Sequence, residues 1–163
     1  MGTHNRLLGL GPGAYLEAIA VDPGAAGPGR PRWFGLDTRR GPARLTHWVV
    51  RTEDIEAACR RLPHPAQVED HARGDLRWRM ALPPDGRLPW AGLFPGLIEW
   101  PDAPPVIADS GLRLSRLVLS HPEAGELRDA VTGLCDDPRL EFVTGAAGLR
   151  AELDGPGGRR TIE

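Results

Sequence analysis

LTHWVVRTEDIEAACRRL, residues 45–62, changes character halfway along, and that change decides how the chain is parsed. Its first half, LTHWVVR, is rich in β-branched and aromatic residues and reads as a strand. Thr52-Glu53-Asp54 then opens the helical stretch IEAACRRL. Thr52 is the expected N-cap, with acidic residues in the first turn, where the helix dipole favours them. Pro63 and Pro65 end the helix, because proline removes a backbone donor and clashes with the preceding turn.

The same strand, helix, strand, strand logic extends in both directions. DLRWRMAL (75–82) alternates as a strand, Pro83-Pro84-Asp85-Gly86 makes a turn, and LPWAGLFPGLIEW (88–100) supplies one or two strands interrupted by Pro95-Gly96. From Leu112 a second copy begins: strand LRLSRLVLS, helix EAGELRDAVTGL started by Pro122-Glu123, short strands LEFVTG and GLRAELD, then a polar tail. At the other end, HNRLLGLG and AYLEAIAVD form a β-hairpin around Gly11-Pro12-Gly13. A Pro/Gly-rich connector, Pro23 to Pro31, leads to WFGLD, expected to make a short turn of helix. The fold class is α+β with a repeated βαβββ unit. The expected divisions are 1–44 (hairpin plus connector), 45–105 (central βαβββ) and 106–163 (C-terminal βαββ), all in one globule.

Composition narrows the function. The chain has 163 residues and a formal net charge of −2, with a pI near 6.2, so it offers no broad attraction to nucleic acid or to an anionic membrane. No segment is long and apolar enough to span a bilayer, and no secretory signal opens the chain, so a cytoplasmic location is expected. All 20 basic residues are Arg. That bias fits a GC-rich, bacterial genome, and it removes lysine chemistry such as Schiff-base formation. Cys59 and Cys135 lack metal-binding spacing and read as apolar fillers in a reducing compartment. Neither a phosphate-binding glycine loop nor a GxSxG elbow is present; Ser110, Ser115 and Ser120 have no evident base.

GTHNRLL, GAYLEAIAVDP, RWFGLD, LTHWVVRTEDIEAA, DLRWRMALPP and LPWAGLFPGLIEW follow one another in an order that resembles the glyoxalase-like domain of the vicinal oxygen chelate superfamily. The resemblance runs from residue 2 to about residue 100. It implies paired βαβββ modules whose curled mixed sheets form a cleft, and in metal-dependent branches a divalent ion (Zn, Ni, Mn, Fe or Mg) held there. Carried over, His47 matches the first-strand ligand of the central module and Glu99 its last-strand ligand, while Glu17 matches the last strand of the first module. The first module's opening strand and helix have no counterpart. The resemblance implies that they lie upstream of Met1, or that the C-terminal module or another subunit supplies the strand. A homodimer is the expected assembly.

Alternation along the strands gives an independent view of these residues. His47 shares a face with Leu45, Val49 and Arg51, Glu17 with Tyr15 and Ile19, and Glu99 with Leu97. A carboxylate on an apolar face is costly unless paired, protonated or metal-bound. Two carboxylates and an imidazole on separate strands suit a divalent cation; the alternative is pairing with the abundant arginines. Arg77 and Arg79 share one face and suit a substrate carboxylate or phosphate, or else form salt bridges on a solvated face. His4, Asn5 and Trp78 complete the candidate substrate contacts.

Two functions follow. One is a metal-dependent lyase, isomerase or dioxygenase acting on a small substrate with vicinal oxygens, with Glu17 or Glu99 moving the proton. The other is a metal-free protein that sequesters a small molecule between Trp and Arg side chains. A third reading reduces the chain to a module for association alone.

Overall fold

The structure is a computed structural model that describes all residues, 1–163. It is strand-rich, with three sheets and two short α-helices. Strands β1 (Thr3–Gly9) and β2 (Tyr15–Val21) form an antiparallel hairpin. The central unit comprises β3 (Val49–Arg51), α1 (Ile55–Cys59), β4 (Gln67–Arg73), β5 (Leu76–Leu82) and β6 (Gly96–Glu99). Its sheet runs β3-β6-β5-β4, with β3 parallel to β6 and the other pairs antiparallel. The C-terminal unit comprises β7 (Arg113–Ser120), α2 (Ala124–Val131), β8 (Leu140–Val143), β9 (Gly148–Asp154) and β10 (Arg160–Ile162). Its sheet runs β10-β9-β7-β8, with β7 parallel to β8. The two units thus share element order but not strand order, and the C-terminal one gains a strand, β10, from what the sequence reads as a tail.

Local chemistry explains the boundaries. The strand expected over 45–51 begins only at Val49, and α1 is a little over one turn. Asp54, not Thr52, caps α1: its carboxylate accepts from Ala57 N at 2.8 Å, while Thr52 Oγ1 accepts from Asp54 N. β4 is the element the sequence reading passes over. It is joined to β5 by the two-residue turn Gly74-Asp75, where Gly74 takes φ +58°, a conformation glycine adopts without steric cost.

Three apolar clusters hold the molecule together. The largest joins Leu117, Leu119, Leu149 and Leu153 of the C-terminal sheet to Leu127 and Val131 of α2, and extends to Leu10, Leu93 and Phe94. On one face of the central sheet, Val50, Ala81 and Leu97 pack on Ile55 of α1. On the other face, which no α-helix covers, Met80, Leu82 and Ile98 pack on Leu88 and on Trp33 of the short 3₁₀ turn Trp33–Gly35. The connector, with Phe34 and Leu36, and the hairpin residue Ile19 close over that second face.

Candidate functional site

Along β4 the residues on the helix-free face are Glu69, His71 and Arg73, set opposite Met80, Trp78 and Leu76 of β5 by the antiparallel register. His71 is the centre of an aromatic row. Trp33 meets it edge-on with centroids 4.8 Å apart, Trp78 stacks on it at 5.6 Å, and Trp100 continues the row 5.7 Å beyond Trp78. Trp33 is buried, while Trp78 and Trp100 are half-exposed. Beside the row, an open hollow of about 590 Å³ is lined by Met1, Pro28, Arg30, Glu69, Asp70 and His71.

Charge is arranged around the imidazole. Arg30, from the connector, grips both carboxylate oxygens of Glu69, which holds that carboxyl below the usual range. His71 Nε2 lies 3.5 Å from Glu69, an ionic contact only for a protonated ring. Burial nevertheless lowers the His71 pKa, outweighing the opposing pull of Glu69, so the ring is held neutral. Two buried polar atoms here have no hydrogen-bond partner, Trp33 Nε1 and His71 Nε2. A buried donor or acceptor left unpaired costs ~1–3 kcal/mol.

The hairpin reaches the same face through a chain of polar contacts. Glu17 accepts from Asn5 Nδ2 at 2.5 Å, Asn5 Oδ1 accepts from Arg73 at 2.5 Å, and Arg73 also donates to Thr3 O at 3.1 Å. Glu17, Asn5 and Trp78, named from the sequence, therefore lie around the helix-free face. His4 does not: it points outward from β1 and is exposed.

Glu99, Arg77 and Arg79 lie on the opposite side of the sheet, the face covered by α1. Glu99 Oε2 accepts from Ile55 N at 3.2 Å, so it ties down the first turn of α1. Arg79 contacts Glu99 and Asp70, each at 3.3 Å, and binds Glu56 of α1. Arg77 donates to the Gly74 and Leu76 carbonyls. Neither arginine faces the aromatic row; the salt-bridge alternative describes Arg79.

His47 sits elsewhere again. It precedes β3, its ring packs on Phe34 at 4.9 Å, and Gly92 leaves just enough room for it, since a Cβ there would meet His47 Nε2 at 3.1 Å. The enclosing backbone is unusual: Phe34, Trp90 and Ala91 all take positive φ, which costs of order 1–3 kcal/mol per non-glycine residue. Burial, with Arg39 nearby, drives the His47 pKa down to about 4. His47, Glu99 and Glu17 are thus engaged by three separate sets of neighbours, and no three His, Cys, Asp or Glu side chains gather closely enough to hold a metal ion. The expected ligand set does not fit a shared ion, because alternation along β6 turns Glu99 toward α1 while Glu17 belongs to the hairpin.

The residues missed by the sequence reading are Arg30, Trp33, Glu69, His71, Arg73 and Trp100 as members of one site. The available signal was HARGDLRW: a Gly-Asp pair between two runs is a hairpin marker, and it would have put His71 opposite Trp78.

Fold and site together define a strand-rich α+β protein with mixed, unclosed sheets and a helix-free face bearing an aromatic row beside a polar hollow. A family model described as the glyoxalase-like domain matches residues 1–135. The chain belongs to that family, and through it to the vicinal oxygen chelate superfamily. No curated protein and no solved structure matches it. No helix is long and apolar enough to cross a membrane.

Proposed function

We propose that the protein binds a small planar molecule bearing hydroxyl or carbonyl oxygens on the helix-free face of the central sheet. The observation that carries this reading is the row Trp33, His71, Trp78, Trp100, with its two buried polar atoms that lack partners. The half-exposed faces of Trp78 and Trp100 provide the stacking surface, and a ligand that displaces the cover over Trp33 Nε1 and His71 Nε2 gains a donor from the indole and an acceptor from the neutral ring. Arg30 and Glu69 border the hollow and select for polarity at the ligand's open end.

The metal-dependent alternative requires His47, Glu17 and Glu99 to meet, and their separate engagements speak for the binding reading instead. A catalytic version has one observation in its favour: an imidazole held neutral beside a carboxylate can take a proton from a bound hydroxyl.

Tryptophan-fluorescence titration with hydroxylated aromatic acids and quinones tests the proposal. Saturable quenching, lost in Trp78→Ala and His71→Ala and kept in Glu99→Ala, is expected. A tightly held ion found in protein purified without chelator, and lost in His47→Ala, would replace this reading with the metal-dependent one.

A further inference from the structure

One arginine lines the hollow beside the aromatic row, and a carboxylate of the chain itself holds it. Glu69 stands on this face of β4, where the register sets it opposite Met80. Arg30 reaches it from the connector, 39 residues earlier in the chain, and grips both carboxylate oxygens with its two terminal nitrogens. That fork is the geometry in which arginine recognises a planar carboxylate. The hollow thus already contains a carboxylate site, filled by Glu69.

Three features make that filling exchangeable. The pair is open to water, with 44% of the Arg30 side chain and 23% of the Glu69 side chain exposed. An ion pair so exposed contributes little to stability, so trading one carboxylate for another on Arg30 is close to neutral. Releasing Glu69 does not free the connector, because Arg32 anchors it separately, donating from its backbone N to Asp37 at 2.7 Å and from Nε to Met1 O at 2.9 Å. Donors are also in surplus. Of the five guanidinium N–H groups of Arg30, two serve Glu69 and another meets only Met1 Sδ, at 3.5 Å. The second carboxylate on the hollow, Asp70, is paired with Arg79 at 3.3 Å. A cation entering the hollow meets carboxylates already engaged, whereas an anion meets unspent donors.

Resting on the binding reading above, we infer that the ligand of this face carries a carboxylate, that Arg30 anchors it, and that Glu69 is an internal competitor holding the guanidinium until the ligand takes its place. The carboxylate then sits in the hollow, and the ring attached to it points along the face toward His71 and Trp78. A neutral ligand has nothing with which to displace Glu69 and gains nothing from Arg30. The Arg30–Glu69 pair therefore sets specificity for anionic ligands.

Calorimetric titration of the full chain with a dihydroxybenzoate, the matching benzamide and the matching phenyl phosphate tests this. The wild type should bind the benzoate about tenfold or more tighter than the benzamide. Arg30→Gln should erase that preference by weakening the benzoate alone. Glu69→Gln should tighten the benzoate severalfold and leave the benzamide unchanged, the opposite of what a purely structural ion pair would give. Equal affinity for benzoate and benzamide would overturn the inference and leave the binding reading intact, while absence of binding by all three probes would overturn both. A preference for the phosphate that vanishes in Arg30→Gln would overturn the assignment of a carboxylate, and a Glu69→Gln chain that binds the benzoate more weakly would overturn the competitor role. The benzoate and benzamide comparison in the wild type needs no variant, so it decides the matter even where a substitution unfolds the protein.

Discussion

The central and C-terminal units both run strand, helix and three strands, yet they spend their polar groups differently. In the C-terminal unit, α2 and one sheet face close over Leu117, Leu119, Leu127 and Val131, and the other face carries Glu152 among Arg116, Arg150 and Arg159, an ion network open to water. All four buried side-chain polar atoms without partners belong to Trp33, His47, His64 and His71, in and around the central unit. So do the positive-φ residues Phe34, Trp90 and Ala91. Sequences specify folds by local consistency and break it where function requires. By that measure the local irregularities gather in the central unit and the connector over its helix-free face, where the proposed binding site lies.

The tryptophans divide along the same line. Trp33, Trp78 and Trp100 pack on the helix-free face. Trp48 and Trp90 pack against the C-terminal core, Trp48 donating its indole N–H to Leu93 O at 2.7 Å.

The largest expected effect breaks the scaffold alone. Leu127 is fully buried, and Leu127→Ala should cost about 2–5 kcal/mol in denaturant unfolding, while folded protein keeps its ligand affinity. Next is acid sensitivity. The His47 pKa falls from its ordinary 6.5 to about 4, so between these values the unfolded chain binds a proton that the folded chain refuses. Stability is complete above pH 6.5 and is lost as pH drops toward 4, by on the order of 3 kcal/mol; a His47→Gln melt series should lack this slope. A smaller stability effect separates binding from packing: Trp78→Ala should weaken probe binding about tenfold or more while the protein remains folded by circular dichroism. Smallest, Glu99→Ala should cost about 1 kcal/mol, as loss of a helix-end partner does, with ligand affinity unchanged. A metal ligand at that position would show the reverse pattern.

β1 and β9 are legible in the sequence because their burial follows the period of two, while β2, β5 and β7 are legible as runs of strand-forming residues bounded by turns, although their burial does not alternate. β4 is not, since QVEDHAR is polar on both faces and is held by pairing with β5 and by Arg30 and Asn5, contacts from far along the chain. β10 escapes for a similar reason: it is a three-residue edge paired with β9. The candidate site was half legible. Alternation correctly placed Glu99 with Leu97 and Arg77 with Arg79, but it cannot say which face a helix will cover, and α1 covers theirs. Asn5, Glu17 and Trp78 were named; Glu69 and His71 depended on recognising β4.

The account's central claim is that ligands engage the helix-free face of the central sheet. Fluorine NMR of protein labelled with 5-fluorotryptophan, titrated with hydroxylated aromatic acids, tests it across all five Trp residues at once. Shifts confined to the Trp33, Trp78 and Trp100 signals are predicted. Movement of Trp48 and Trp90 with the other three silent would contradict it.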